Sequence, residues 1–288
     1  LARVLAASAA MRFWAGDVSG AEAAMDRAVA LADEHRGAPT SLANLQYLAQ
    51  VEGPAPVGQA LQRLERLRMR DGGNPQQEVT FLSAGALLEA MRGRFAVAEE
   101  SVAQALALTA RYGLNRADAV ARWYSAKVEL LAGRTDSAQR VLTPAIDSLQ
   151  RMGDVGFLVS FAPVMADILL VQGRPDDAVP LIDVAGRHMV ADDLDAQISY
   201  RRTRARLLAH HGEFDAAVRL AQQAVQLAEA TEFLPAHAVA LDDLATVYLL
   251  AGDLSSAART LDDAIRCHED KGNVSAAARS RARRAELS

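Results

Sequence analysis

A single cysteine, Cys267, stands among 288 residues. No intrachain disulfide framework and no cysteine-rich zinc module can form, and a reducing compartment such as the cytoplasm suits the chain. A positive charge balance is also missing: the net charge is −5 and the pI is near 5.7. A nucleic-acid-binding surface spread over the whole molecule is thereby excluded, and no direct contact with nucleic acid is expected. Every apolar run is broken by Arg, Asp, Glu or Gln before it reaches the roughly 18 residues a bilayer crossing needs. Period-2 alternation, the mark of strands, is not sustained anywhere. Also absent are a Gly-x-x-x-x-Gly-Lys-[Ser/Thr] loop, a His-Glu-x-x-His pair and a Gly-x-Ser-x-Gly elbow. No cofactor, no metal and no enzymatic activity are therefore expected.

What is present is a repeat. A Gly-x-x-x-x-Ala turn begins at Gly16, Gly93, Gly133, Gly173, Gly212 and Gly252, and a degenerate copy with two extra residues begins at Gly53. Successive glycines are 37, 40, 40, 40, 39 and 40 residues apart. Seven residues before each glycine stands an alanine (Ala9, Ala86, Ala126, Ala166, Ala205, Ala245), with Gln46 the exception. Alanines recur five residues after it (Ala21, Ala98, Ala138, Ala178, Ala217, Ala257) and twelve after it (Ala28, Ala105, Ala145, Ala185, Ala224, Ala264). Small residues held at three register positions imply two helices packed too closely for anything larger. Between the turns the apolar residues keep an i, i+3, i+4, i+7 period, as in Leu241, Leu244, Ala245 and Tyr248.

The expected fold is thus all-α: a right-handed α-solenoid of about seven helical hairpins, closed by a capping helix over 273–287 with Asn273 as its N-cap, roughly fifteen helices in all. The whole chain, 1–288, reads as one superhelical domain. Its first residue is Leu1, and its apolar start lacks a basic leader region, so it reads as a fragment of a longer polypeptide. Prolines are expected in turns or first helical turns, as at Pro175 and Pro235, while Pro163 should kink its helix.

The segment LDDLATVYLLAGDLSSAARTLDDAI, residues 241–265, resembles the tetratricopeptide (TPR) repeat at Ala245, Tyr248, Gly252, Ala257, Leu261 and Ala264. The likeness extends along nearly the whole chain, but the period is near 40 rather than 34 and the closing proline is missing. Such longer hairpins resemble the C-terminal repeat arms of large bacterial signalling proteins, which carry a nucleotide cyclase, or an NTPase with a DNA-binding domain, ahead of the array. The resemblance implies a non-catalytic arm that binds a peptide, a protein or a small anionic ligand in its concave groove. Its partner would be such a molecule or an output domain of the same polypeptide, with no membrane involved. A stand-alone scaffold or co-chaperone is the alternative, but the Lys and Asn clamp of such co-chaperones is not reproduced. The same resemblance places positions 13, 10, 6 and 3 before each glycine on the groove wall. These include Tyr47, Trp123, Lys127, Ser160, Asp167, Arg202, Arg206, Asp242 and Thr246. Lys127, Arg202 and Arg206, with Trp123, would form a cationic, aromatic patch, which Asp167 and Asp242 could balance.

The cluster AHHGEFD, residues 209–215, reads as the sixth turn rather than a metal site, because adjacent His210 and His211 diverge by about 100° on a helix. The other histidines, His35, His188, His237 and His268, belong to other repeats. His210 fills a slot, two before the glycine, that other copies fill with Trp14, Val51, Met91, Leu131, Val171 and Leu250. A core histidine bonded to a neighbour, or a pH-sensitive contact, is expected there. Trp14 itself reads as core. Arg201 and Arg204 should pack their stems and expose their heads. Arg279, Arg281, Arg283 and Arg284 make the last helix a basic, solvated cap.

Overall fold

The computed structural model describes residues 1–33, 40–71 and 73–287. All regular structure among them is helical. Seven hairpins follow one another: α1 (Ala2–Trp14) with α2 (Val18–Asp33), α3 (Thr40–Glu52) with α4 (Val57–Asp71), α5 (Pro75–Met91) with α6 (Phe95–Tyr112), α7 (Asn115–Leu131) with α8 (Thr135–Met152), α9 (Val155–Val171) with α10 (Pro175–His188), α11 (Leu194–His210) with α12 (Phe214–Glu229), and α13 (Leu234–Leu250) with α14 (Leu254–Lys271). A last helix, α15 (Val274–Ala285), begins where Asn273 accepts a bond from the Ala276 amide at 3.1 Å.

The alanine register explains the hairpins. The alanines seven before, five after and twelve after the turn glycines are at most 1% exposed in every copy that has them. In the degenerate second copy, Ala60 takes the place shifted by the two extra residues and is equally buried. Six turns close by one mechanism. Gly16, Gly93, Gly133, Gly173, Gly212 and Gly252 adopt φ between 73 and 82°, the left-handed region that suits glycine. The amide after each then reaches back to the carbonyl four before the glycine, as Arg134 does to Glu129 at 2.9 Å, the Schellman arrangement that satisfies carbonyls at a helix end. Gly53 differs, having no positive φ among the turn glycines. A Cβ there would lie 2.5 Å from the Ala49 carbonyl oxygen and 2.9 Å from Val18 Cγ1, so close approach rather than backbone conformation requires glycine.

Two expectations need correction. α9 runs through Pro163 and on for a further eight residues to Val171, with Phe161, Pro163 and Val164 buried. Pro144 and Pro180 also lie inside helices, so Pro163 is no exception, and burial outweighs the single lost backbone bond. His210 is not a core residue; it is exposed. Its slot is buried at Val51 and Met91 but 59% exposed at Val171 and 40% at Leu250. The slot loses its cover in the late copies, and a histidine fits there. Trp14 packs edge-on against Phe13 at 5.0 Å, beside the core as expected. His35 lies outside the described residues.

Odd-numbered helices touch the next odd-numbered ones along the array, α5 on α7 and α11 on α13, while even helices pack mainly on their hairpin partners and the next odd helix. The odd helices therefore form the inner layer. The array also closes on itself, since α13 touches α3 and α15 touches α5. The Glu232 amide donates to the Gly16 carbonyl at 2.8 Å, the Ser19 amide donates to Glu232 Oε2 at 2.6 Å, and Phe13 meets Phe233 at 5.3 Å. One copy further on, Lys271 Nζ donates to the carbonyls of Gln50, Gly53 and Ala55 at 3.0, 2.7 and 3.0 Å. Ser275 then bonds the Ala90 carbonyl and Arg279 the Leu130 carbonyl, both at 2.7 Å. The turns of the first four copies thus rest on the segment from 231 to 279. The accessible surface is 12881 Å² for 30.8 kDa, against about 12,000 Å² for a compact monomer of that mass.

Glycine has opposite effects in the turns and in the helices. Gly133→Ala is expected to cost about 1–2 kcal/mol, because φ of 75° is strained for a side chain although space is free. Gly85, inside α5 with nothing within 4 Å of where a methyl would stand, should give the reverse, Gly85→Ala gaining about 0.5–1 kcal/mol. Urea denaturation of both variants checks the pair.

Candidate binding channel

The residues expected on the groove wall fall into four places. Tyr47 is in the core, 1% exposed, with its ring 6.4 Å from that of Phe81. Ser160 is half-buried on α9. Asp242 and Thr246 face the last helices: Asp242 meets His268 Nε2 at 2.8 Å and accepts from Ser280 Oγ at 2.7 Å, while Thr246 Oγ1 accepts from Arg283 at 2.7 Å. The remaining five residues form two clusters on α7, α9 and α11.

The first is an ion-pair network. Arg202 reaches Asp167 at 2.8 Å and Asp243 at 2.7 Å; Arg206 reaches the same two carboxylates at 3.0 and 3.3 Å. Thr203 Oγ1 adds a bond to Asp167 at 3.0 Å. All four charged side chains are 9–13% exposed. Arg202 and Arg206 therefore do not form a cationic patch; each is neutralised within the fold. Their second partner is Asp243 and not Asp242, because neighbours on a helix point about 100° apart. Asp243 faces α11, and Asp242 faces α14 and α15.

The second cluster surrounds Trp123. Its indole stacks on Phe161 with centroids 5.5 Å apart and planes 12° apart, and the Lys127 ammonium lies 4.3 Å from the indole centroid. Trp123 Nε1 is buried without a hydrogen-bond partner among the described residues. Lys127 is held by Glu52 at 2.9 Å, a pair that joins the second copy to the fourth. Tyr124 packs edge-on against Trp123 at 5.0 Å and is 2% exposed. Asp195, in the first turn of α11, completes the cluster behind the cap that Asp193 makes with the Ala196 amide at 3.0 Å. Burial raises the Asp195 pKa to about 7; Glu52 and Asp193 add to the rise, and Lys127 and Arg202 oppose it. Burial, then Glu52 and Asp195, also push the Tyr124 phenol upward.

Sequence reasoning missed Glu52, Tyr124, Asp195 and Asp243. Asp243 is one residue from an expected position. Glu52 and Asp195 come together only through the closure of the superhelix, which no local pattern signals. The basic last helix keeps Arg279 and Arg281 exposed, and its cations also make bonds within the fold: Arg283 and Arg284 bond Thr246 and Asp262, Arg281 bonds Glu269, and Arg279 bonds the Leu130 carbonyl. Arg204 pairs with Asp183 at 3.3 Å, its head part-exposed as expected.

These features define a TPR-like helical-repeat protein of the kind that forms the arms of MalT-type regulators. Residues 2–282 match the MalT-like TPR region, and the chain belongs to that family. A search of curated proteins returns no match. Among solved structures, the chain is similar to NprR in complex with its cognate peptide NprX, at 12% identity and TM-score 0.61, over 91% of this chain and 76% of that one. It is also similar to a Rap protein complexed with Competence and Sporulation Factor, at 14% identity and TM-score 0.62, over 94% and 77%. At these identities the likeness establishes the fold.

Two predictions follow the two clusters. Asp243→Ala leaves two buried guanidiniums on one carboxylate and should lower stability by about 3–5 kcal/mol in chemical denaturation. Asp195 titrates higher in the folded chain than in the unfolded one, so its contribution is complete below the unfolded pKa and is lost as pH rises through about 7. Relative to Asp195→Asn, wild-type stability should therefore fall between about pH 4 and pH 7, as pH-dependent melting would show.

Proposed function

We infer that the chain is a non-catalytic binding arm of a larger bacterial regulator, and that it takes a peptide or a peptide segment of a protein into the channel lined by its odd-numbered helices. The observation that carries this reading is the Trp123 cluster. It places a buried indole N–H without a partner, a half-buried aromatic ring and paired charges on the inner layer, where an extended chain would meet them. The NprR structure, with its cognate peptide, supports the same use of a similar fold. No described helix is long and apolar enough to cross a membrane, and the cytoplasm is the proposed location. Binding would favour one arrangement of the superhelix over another and so bias an attached output domain.

A library of random heptapeptides, one sequence per bead, tests this. A subset of beads should bind labelled wild-type protein. Trp123→Ala, with its helicity checked by circular dichroism, should lose at least about tenfold in affinity for those peptides. Binding to no bead, or undiminished binding by the variant, contradicts the reading.

A further inference from the structure

The seam that closes the superhelix shows how this fold receives a helical segment across its turns. Lys271, which ends α14, and Ser275 and Arg279 of α15 are spaced four residues apart. They donate to the Gln50, Ala90 and Leu130 carbonyls at 3.0, 2.7 and 2.7 Å. Each of those carbonyls lies three residues before a turn glycine, so the segment crosses copies 2, 3 and 4 in step. The apolar slot one residue further on is covered there: Val51 is 0% exposed and Met91 4%.

The turns of copies 5, 6 and 7 form the same edge without that cover. Among the described residues the equivalent carbonyls, of Leu170, Ala209 and Leu249, accept only backbone amides of their own turns. In the apolar slot Val171 is 59% and Leu250 40% exposed. Two residues after their glycines, Phe214 and Leu254 are 39% and 55% exposed, where Val18 of the first copy is 1% exposed. The turn residues around them are acidic. Asp176, Asp177, Glu213, Asp215 and Asp253 are all exposed, and the one arginine of these turns, Arg174, is held by Asp177 at 2.7 Å. His211 meets Asp176 at 3.2 Å, which ties the turn of copy 6 to that of copy 5.

We propose that the turn edge of copies 5 to 7 is a docking surface for a basic amphipathic helix of a partner protein, laid across the turns as α15 lies across copies 3 and 4. The apolar face of that helix covers Val171, Phe214, Leu250 and Leu254. Its lysines or arginines meet the acidic turn residues and the turn carbonyls, as Lys271 and Arg279 do at the seam. Two observations agree on this chemistry: two of the three donors in the seam are cations, and the uncovered edge carries an excess of carboxylates. The surface lies on the turns, apart from the channel, and does not rest on the peptide-binding reading above.

The test uses the full chain and a fluorescein-labelled peptide of about eighteen residues, five helical turns, with leucine at i, i+3, i+4 and i+7 and arginine or glutamine elsewhere. Anisotropy is read at about 0.15 M salt, where exposed charges more than about 8 Å apart are screened. This peptide should bind at least about tenfold more tightly than a scrambled peptide of the same composition, and than a version with glutamate for arginine. The triple variant Val171→Ser/Leu250→Ser/Leu254→Ser, with its helicity checked by circular dichroism, should lose at least about tenfold in affinity, whereas Trp123→Ala should stay within about twofold. No binding, equal binding of the scrambled peptide, or binding that survives the triple variant overturns the proposal. Loss of binding in Trp123→Ala overturns it as well, since the helix would then sit in the channel. Self-association of the wild-type chain in sedimentation velocity, abolished by the triple variant, would assign the edge to a second copy and overturn the partner helix. Should the triple variant lose its helicity, hydrogen exchange of the wild-type chain decides: the peptide should protect the turns at 171–176, 210–215 and 250–255, and protection elsewhere overturns the assignment.

Discussion

The ammonium of Lys271 lies 1% exposed at the end of α14, against three backbone carbonyls from the segment that ends α3 and leads into α4. Those carbonyls have no helical partner of their own, so the ammonium satisfies them and fixes one turn of the superhelix on the next. Burial draws its pKa down to about 8, while Glu52 and Glu22 oppose the shift. Around it, Glu232 on Gly16 and Ser19, Ser275 on Ala90 and Arg279 on Leu130 repeat the same contact copy by copy. A solenoid that is open by local design is in this way drawn shut.

The closure sets what the interior can be. Once α13 lies on α3 and the N-terminal hairpin on the loop before α13, parts of the odd-helix layer that are far apart in sequence are brought together. Charges that would be solvated on an open wall must then find partners. Arg202 and Arg206 do so with Asp167 and Asp243, and Lys127 with Glu52. Such pairs add little net stability over apolar packing, but breaking one is costly. The Trp123 N–H, buried without a partner among the described residues, is accordingly an informative group.

How much of this was legible in the sequence depends on range. The hairpins were fully legible, because alanine at fixed spacing and glycine at the turn are local requirements that each copy repeats. The second copy shows the limit: Gly53 kept the spacing but needs glycine for contact with Ala49 and Val18, not for its φ. His210 looked anomalous because its slot was treated as equivalent in all copies, whereas cover from the second superhelical turn reaches only the early ones. Trp123 and Lys127 lie side by side on α7, while Tyr47 proved to be core and Asp242 turned toward α15. Glu52 and Asp195 had no signal at all. They are 143 residues apart, and only the superhelical pitch brings them to one place.

The central claim is that the superhelix is closed, and small-angle X-ray scattering on the purified chain tests it most directly. A closed array of this length should show a radius of gyration near the roughly 19 Å of a compact 288-residue protein, and Lys271→Met should enlarge it. A wild-type radius well above that value, or one that Lys271→Met leaves unchanged, would contradict the account.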